Sequence, residues 1–221
     1  MATYLITGSN RGIGLEYCRQ LKQRGDNVIA TCRNSSSELD QLGIRVETGV
    51  DVTSGDSVLK LINNLKGQKI DVLIQNAGIH ENNSISNLDP QSILRQFQVN
   101  ALSPLCFTRA MISHLQEGSK IILMTSRMGS IEDNTSGGSY GYRMSKAALC
   151  MAGKSLSIDL NPRGISVAIL HPGLVSTKMT GFTTQGITPA ESVKGLVQRI
   201  DSMTIEDSGS FFHANGERLP W

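Results

Sequence analysis

A tyrosine and a lysine four residues apart, Tyr142 and Lys146, have the residue types that proton transfer needs, at a spacing that can bring them together. On a helix, side chains at i and i+4 share one face. A free Tyr titrates at about 10, and a nearby ammonium favours the phenolate. The pair is therefore expected to make a weak acid usable near neutral pH as a general acid or base. Tyr140 is a competing phenol, but its i+4 position is Met144.

Far upstream lies the second chemical feature, the run Thr7-Gly8-Ser9-Asn10-Arg11-Gly12-Ile13-Gly14. It closes an apolar strand-like run and opens a helix-like one, the context in which a glycine motif becomes informative. Gly8 is expected to make the tight turn, Gly12 to let backbone approach a pyrophosphate, and Gly14 to let the helix pack closely on the sheet. The phosphates then meet a positive helix end. The spacing is G-x-x-x-G-x-G, not the commoner G-x-G-x-x-G, and a turn without a ligand is the plainer alternative.

Choice between the two nicotinamide dinucleotides falls to the end of the second strand, where an Asp or Glu would bond a free ribose 2′-hydroxyl. Here the stretch is Ala30-Thr31-Cys32-Arg33-Asn34, with no carboxylate. Arg33 and Arg11 could instead bind a 2′-phosphate, so NADP(H) is expected over NAD(H); solvated surface arginines are the alternative. Asp51, followed by Val52, ends the third strand and can accept from the adenine amino group or help cap the next helix. The first role is preferred. Asn76-Ala77-Gly78 follows the fourth strand, where small residues leave room for the adenosine ribose and Asn76 braces neighbouring strands; an ordinary Asn-Ala-Gly turn would look the same.

Positioning these residues requires a sheet. Short apolar runs at residues 3–7, 27–31, 45–50, 71–75, 120–125, 166–171 and 210–213 read as strands. Amphipathic stretches at 12–24, 54–65, 90–114, 142–160 and 189–202 read as helices, with a weak helical turn at 35–41. Such alternation predicts an α/β domain with a parallel sheet covered by helices on both faces. No repeat or linker divides residues 1–221, so one domain is expected. The loops 130–141 and 177–188 fall at strand ends, where open α/β sheets bind ligands.

Composition narrows the function classes. With 21 basic and 19 acidic residues, scattered without a run, nucleic acid is an unexpected partner. No stretch approaches the length of a membrane span, and the N-terminus reads into a strand, not a signal peptide. Cys18, Cys32, Cys106 and Cys150 lack metal or redox spacing, which predicts a reduced, cytoplasmic setting. The four histidines show no paired ligand spacing, so no metal site is expected.

Taken in order, TGSNRGIG, NAG at 76–78, the Asn of FQVNALSP, a Ser closing the fifth strand, Y-x-x-x-K and HPGLVST at 171–177 resemble the classical short-chain dehydrogenases and reductases over nearly the whole chain. The Gly-Ser-Ile stretch, the Asn-Thr and Gly-Gly before Tyr-x-Tyr-Arg-x-Ser-Lys, and the tail ending in Trp221 resemble the carbonyl reductases of the C-factor and sniffer type. The resemblance implies a doubly wound seven-stranded Rossmann sheet of order 3-2-1-4-5-6-7 and NADP-linked chemistry on a small-molecule carbonyl or alcohol. One branch of that subfamily is associated with signalling, which gives an alternative in which turnover is secondary.

Carried over residue by residue, the resemblance makes Tyr142 the proton donor in reduction and gives Lys146 the nicotinamide ribose hydroxyls. Ser126 would hold the substrate oxygen, although its gap of sixteen residues to Tyr142 keeps Ser130 and Ser139 in competition. Asn100, a poor helix former in mid-helix, would mark a distortion that holds a water near Lys146; ordinary buried packing is the alternative. Pro172, Gly173, Val175 and Thr177 would cradle the nicotinamide carboxamide through Val175 backbone groups and the Thr177 hydroxyl. A short lid at 179–188 implies an open substrate site. His171 reads as a packed strand-end residue. By analogy with the family, the apolar faces of 90–114 and 142–160 predict a homodimer, with a tetramer as a further state.

Overall fold

A computed structural model describes residues 1–221. Seven strands form one parallel sheet in the order β3-β2-β1-β4-β5-β6-β7. They are β1 (Thr3–Thr7), β2 (Asn27–Thr31), β3 (Arg45–Glu47), β4 (Val72–Gln75), β5 (Lys120–Met124), β6 (Ser166–His171) and β7 (Phe211–His213). The helices between them are α1 (Gly12–Gln23), α2 (Ser37–Asp40), α3 (Gly55–Leu65), α4 (Pro90–Phe97), α5 (Ser103–Met111), α6 (Tyr140–Leu160) and α7 (Pro189–Ser202). The strand order reverses between β1 and β4, and ligands bind open α/β sheets at such a switch point.

The central strands are buried on both faces, which is why they read as unbroken apolar runs. Tyr17, Leu21, Leu196 and Ile200 from α1 and α7 pack with Ile6, Ile74, Ile122 and Leu170 on one face. Leu61, Phe107, Met111 and Leu149 from α3, α5 and α6 pack with Leu5, Leu73, Ile121 and Val167 on the other. Burying such side chains contributes roughly 1.5–3 kcal/mol each. α6 comes close to the sheet because Gly153 has no side chain: a Cβ there would lie 2.7 Å from Ile169.

The structure shortens several expected elements. β3 stops at Glu47, not Val50, because Gly49 turns with φ +71°. The helix expected over 90–114 is two helices, α4 and α5, joined by a π-helical turn at Gln98–Leu102, and it ends at Met111. Pro104 accounts for the break, since it has no N–H to offer the Asn100 carbonyl four residues back. α6 begins at Tyr140, two residues early, directly after Ser139 in a left-handed conformation. No helix is long and apolar enough to cross a membrane.

Candidate active site

The glycine turn lies at the carboxyl end of β1, and steric limits rather than flexibility explain its residues. Gly8 has φ +68°, and a Cβ on it would lie 2.9 Å from the Ala77 Cα. A Cβ on Gly14 would lie 2.2 Å from the Gly8 carbonyl oxygen, so α1 packs against the turn itself. Asn76 braces the neighbouring strands, donating to the carbonyls of Thr7 and Gly8 at 3.0 and 3.1 Å. The Thr7 hydroxyl in turn accepts from the N–H groups of Asn76 and Ala77. Ser9 is buried and donates its hydroxyl to the Ile6 carbonyl. Ile13 packs against the core beneath. The first turn of α1 contains no acidic residue and Arg11 caps none of its N–H groups, so the helix end remains suited to an anion.

Asn10 donates to the Asn34 carbonyl at 2.9 Å, tying this turn to the end of β2 where Arg33 stands. Arg11 and Arg33 are exposed, and neither has an ion-pair partner. Asp51 does not cap α3; Ser54 does, accepting from the Ser57 N–H. One Asp51 carboxylate oxygen accepts from the N–H and hydroxyl of Thr53, and these bonds, with Arg33 contributing, lower its carboxyl pKa.

Pro172 and Gly173 lead from β6 into a loop that folds back over the glycine turn, where a Cβ on Gly12 would lie 3.6 Å from the Thr177 methyl. Val175 is 3% exposed, yet its N–H has no partner within the chain. Burying an amide without a hydrogen bond is costly. The donor set therefore fits a ligand amide or carbonyl at this point, as a nicotinamide carboxamide would supply.

At the ends of β5 and α6 the catalytic candidates meet. Ser126 follows the strand and lies beside the Tyr142 hydroxyl, where it favours the phenolate. Its competitors are engaged elsewhere: the Ser130 hydroxyl oxygen accepts from the Asp133 N–H, and Ser139 faces Asn82. Lys146 is buried and its Nζ donates to the Met124 carbonyl at 2.8 Å. Asn100 is fully buried; its side chain holds both the N–H and the carbonyl of Ile79 and donates to Ser145. Asn100 Oδ1 and Lys146 Nζ both border Gly78, at 3.2 and 3.7 Å from where its Cβ would stand.

One expectation is corrected. Helical spacing places Lys146 on the face of Tyr142, but its Nζ stands 5.6 Å from the phenol ring centroid and bonds to Met124. Burial outweighs every other influence and pushes the Tyr142 hydroxyl up to about 12, not down. Burial also brings the Lys146 ammonium down to about 8. Tyr142 is thus held in its proton-donating form across the neutral range. His171 is pushed down to about 3, first by burial and then by His213, Arg127 and Lys146, so it stays neutral and packs edge-on against His213 at 4.9 Å.

Two neighbours were missed from sequence. The His80 ring lies 4.7 Å from that of Tyr142, and Arg143 donates to the carbonyls of Gly137 and Met128 and to the Ser136 hydroxyl, holding the loop before α6. His80 stands two residues past Gly78, a position at the strand end that could have drawn attention to it. Arg143 is the Arg of the Tyr-x-Tyr-Arg-x-Ser-Lys stretch, but its sequence position alone did not give it this role.

Comparisons with known proteins agree on one family. The profile described as short chain dehydrogenase matches residues 2–187. A 1-hydroxy-2-glutathionyl-2-methyl-3-butene dehydrogenase of Rhodococcus sp. (strain AD45) is 44% identical over 226 residues, with both chains covered completely. C-signal of Myxococcus xanthus is 45% identical over 155 residues, covering 69% of this chain and 93% of that protein. Among solved structures, carbonyl reductase Sniffer of D. melanogaster has a TM-score of 0.93 at 33% identity, with full coverage of both chains. The NADPH-bound carbonyl reductase from chicken fatty liver has a TM-score of 0.90 at 29% identity, covering 100% of this chain and 99% of that one. A seven-stranded sheet of this order, a Ser-Tyr-Lys site at its carboxyl edge and a match over most of the sequence lead to one assignment: the chain belongs to the short-chain dehydrogenase family.

Proposed function

We propose that residues 1–221 form one NADP(H)-binding domain that reduces a carbonyl group of a small molecule to an alcohol, with the reverse oxidation available to the same residues. The observation that carries this reading is the Tyr142 hydroxyl beside Ser126, with the buried Lys146 near its ring, at the sheet edge that also bears the glycine turn. NADPH would supply the hydride. Arg11 and Arg33 would hold its 2′-phosphate, Asp51 its adenine through the carboxylate oxygen not used by Thr53, and the first turn of α1 its pyrophosphate. Val175 and Thr177 would orient the carboxamide, and Ser126 the substrate oxygen, while Tyr142 delivers its proton to that oxygen. The Lys146 ammonium then stabilises the phenolate left behind.

The tests are direct. Purified protein is expected to oxidise NADPH, and NADH much more slowly, with at least one member of a panel of aldehydes, ketones and quinones. NADPH binding without turnover across the panel would favour the signalling reading, which the likeness to C-signal supports. Absence of NADPH binding would sink both.

A homodimer is part of the same proposal. Met144, Met151 and Ile158 are exposed at seven-residue intervals along α6, and Leu94, Phe97, Leu102 and Leu105 are exposed on α4, α5 and the turn between them. Those elements pack on one another, so their apolar residues form a surface of the kind that stable interfaces cover. Light scattering is expected to give twice the chain mass; a monomer would refute it. A reduced cytoplasmic setting suits the four free cysteines.

A further inference from the structure

The loop after β6 is stapled at its neck and again just inside it. Ser176 N–H donates to the Ile187 carbonyl and Ile187 N–H to the Leu174 carbonyl, each at 2.9 Å, so Val175 pairs with Ile187 as an isolated parallel bridge. Inside that neck, the Thr180 hydroxyl oxygen accepts from the Thr177 N–H at 3.0 Å. Its single hydrogen has two acceptors in range, the Val175 carbonyl at 2.7 Å and the Thr177 carbonyl at 3.1 Å, and the shorter contact favours Val175. Phe182, at φ +56°, returns its N–H to the Thr177 carbonyl at 2.8 Å.

These bonds fix both peptide planes that flank Val175. The Leu174 carbonyl is held by Ile187, which also makes the Val175 N–H on the same peptide a stronger donor. The next plane is held at its two ends by Thr180 and Ile187. What remains in this buried residue is the single unpartnered N–H, together with the second lone pair of its carbonyl. Thr177, whose backbone is held by the same hydroxyl, stands over Gly12.

We propose that Thr180 is a positioning residue for the nicotinamide end of the cofactor: its hydroxyl holds the Val175 carbonyl and the Thr177 N–H, and so aims the Thr177 side chain at the carboxamide, beside the Val175 N–H whose peptide Ile187 holds. This rests on the NADP(H) reading above. Thr180 touches neither cofactor nor substrate, and it acts through the loop that does. Without the hydroxyl, the Val175 carbonyl and the Thr177 N–H lose their shared anchor and the Thr177 side chain loses its fixed direction, while Ile187 still holds the peptide that carries the Val175 N–H.

The experiment compares two ligands on the wild-type protein, Thr180→Val, Thr180→Ser and Thr180→Ala. NADPH spans the whole cleft, whereas adenosine 2′,5′-bisphosphate reports only the adenine end. Thr180→Val and Thr180→Ala are expected to weaken NADPH by roughly tenfold, the loss of about one hydrogen bond to a fixed group. The bisphosphate affinity should stay within about twofold, and Thr180→Ser should restore NADPH binding, because the hydroxyl is what matters. Unchanged NADPH affinity in Thr180→Val would overturn the role, and so would an equal loss for both ligands, which marks general damage. Wild-type protein that bound the bisphosphate and NADPH equally well would remove the carboxamide contact altogether. If wild-type protein bound neither, the NADP(H) reading would fall first and Thr180 with it.

Discussion

Replacing Tyr142 by Phe is expected to lower kcat for carbonyl reduction by about 10²- to 10⁴-fold, the usual contribution of a positioned general acid, while NADPH binding and stability stay near wild type. The ring remains against His80, and the hydroxyl that disappears is one that burial makes hard to ionise. Ser126→Ala should cost less alone, and the double variant little more than Tyr142→Phe, because groups acting on one oxygen are not additive. pH adds a second check. Tyr142 keeps its proton up to about 12, so loss of that proton does not limit reduction near neutrality. Lys146 does titrate there, at about 8, and below that value its charge steadies the phenolate that forms. Reduction is therefore expected to fall as pH rises through about 8, and Lys146→Met should be slow at every pH with that limb gone. The contribution of Lys146 to stability moves the opposite way. The folded pKa of Lys146 lies below its ordinary 10.5, so between about 8 and 10.5 this group alone adds stability as pH rises, while the buried thiols of Cys18, Cys32 and Cys150, pushed up by burial, keep protons that the unfolded chain loses and act in the opposite sense. A wild-type rate that did not fall as pH rose through 8 would contradict the assignment of Lys146, and retained turnover in Tyr142→Phe would remove Tyr142 as the donor.

Reading the chain from its residues went furthest where burial leaves a periodic trace. Strands such as Ile121-Ile122-Leu123 are covered on both faces, so apolar runs alone located them. Their order across the sheet came from the family resemblance, because no local pattern states which strands pair. Asn100 pointed to a disturbed helix, but the two-helix outcome depends on Pro104 four residues later acting on it. Ser126 directly follows the apolar strand Ile121-Ile122-Leu123-Met124-Thr125, which favours it over Ser130 and Ser139, and in the folded loop it is the hydroxyl beside Tyr142, while Ser130 and Ser139 are engaged elsewhere. The Tyr-Lys pair shows the limit most clearly. Helical spacing placed the two side chains on one face, yet the direction of the lysine was decided by a carbonyl at the end of β5, and the phenol by burial that no i, i+4 rule contains. Thr180 was invisible for the same reason, since its role depends on a loop closing on itself.

Removing Arg11 and Arg33 together should raise KM for NADPH by about 10²- to 10⁴-fold and leave KM for NADH nearly unchanged. Hydrogen bonds to a charged group contribute about 1.5–3 kcal/mol each, and two of them give that range. Location supports the assignment as much as charge does. Arg33 lies two residues past β2, where dinucleotide folds meet the adenosine ribose, and the Asn10–Asn34 bond holds that segment against the turn bearing Arg11. An Arg paired with a carboxylate would have to break that pair before binding phosphate. Here neither has one, and the nearby carboxylate influenced by Arg33, Asp51, is already engaged with Thr53. Because both side chains are exposed, their attraction for phosphate is screened by salt. KM for NADPH in the wild-type protein should therefore climb with ionic strength, and in Arg11→Ala/Arg33→Ala that climb should flatten. Arg33→Asp goes further: a carboxylate at that point repels a 2′-phosphate and accepts from a 2′-hydroxyl, so preference should shift towards NADH. A double variant that loses NADPH and NADH equally would mean that the arginines support the turn itself, and the choice of cofactor would then have to lie elsewhere in the cleft.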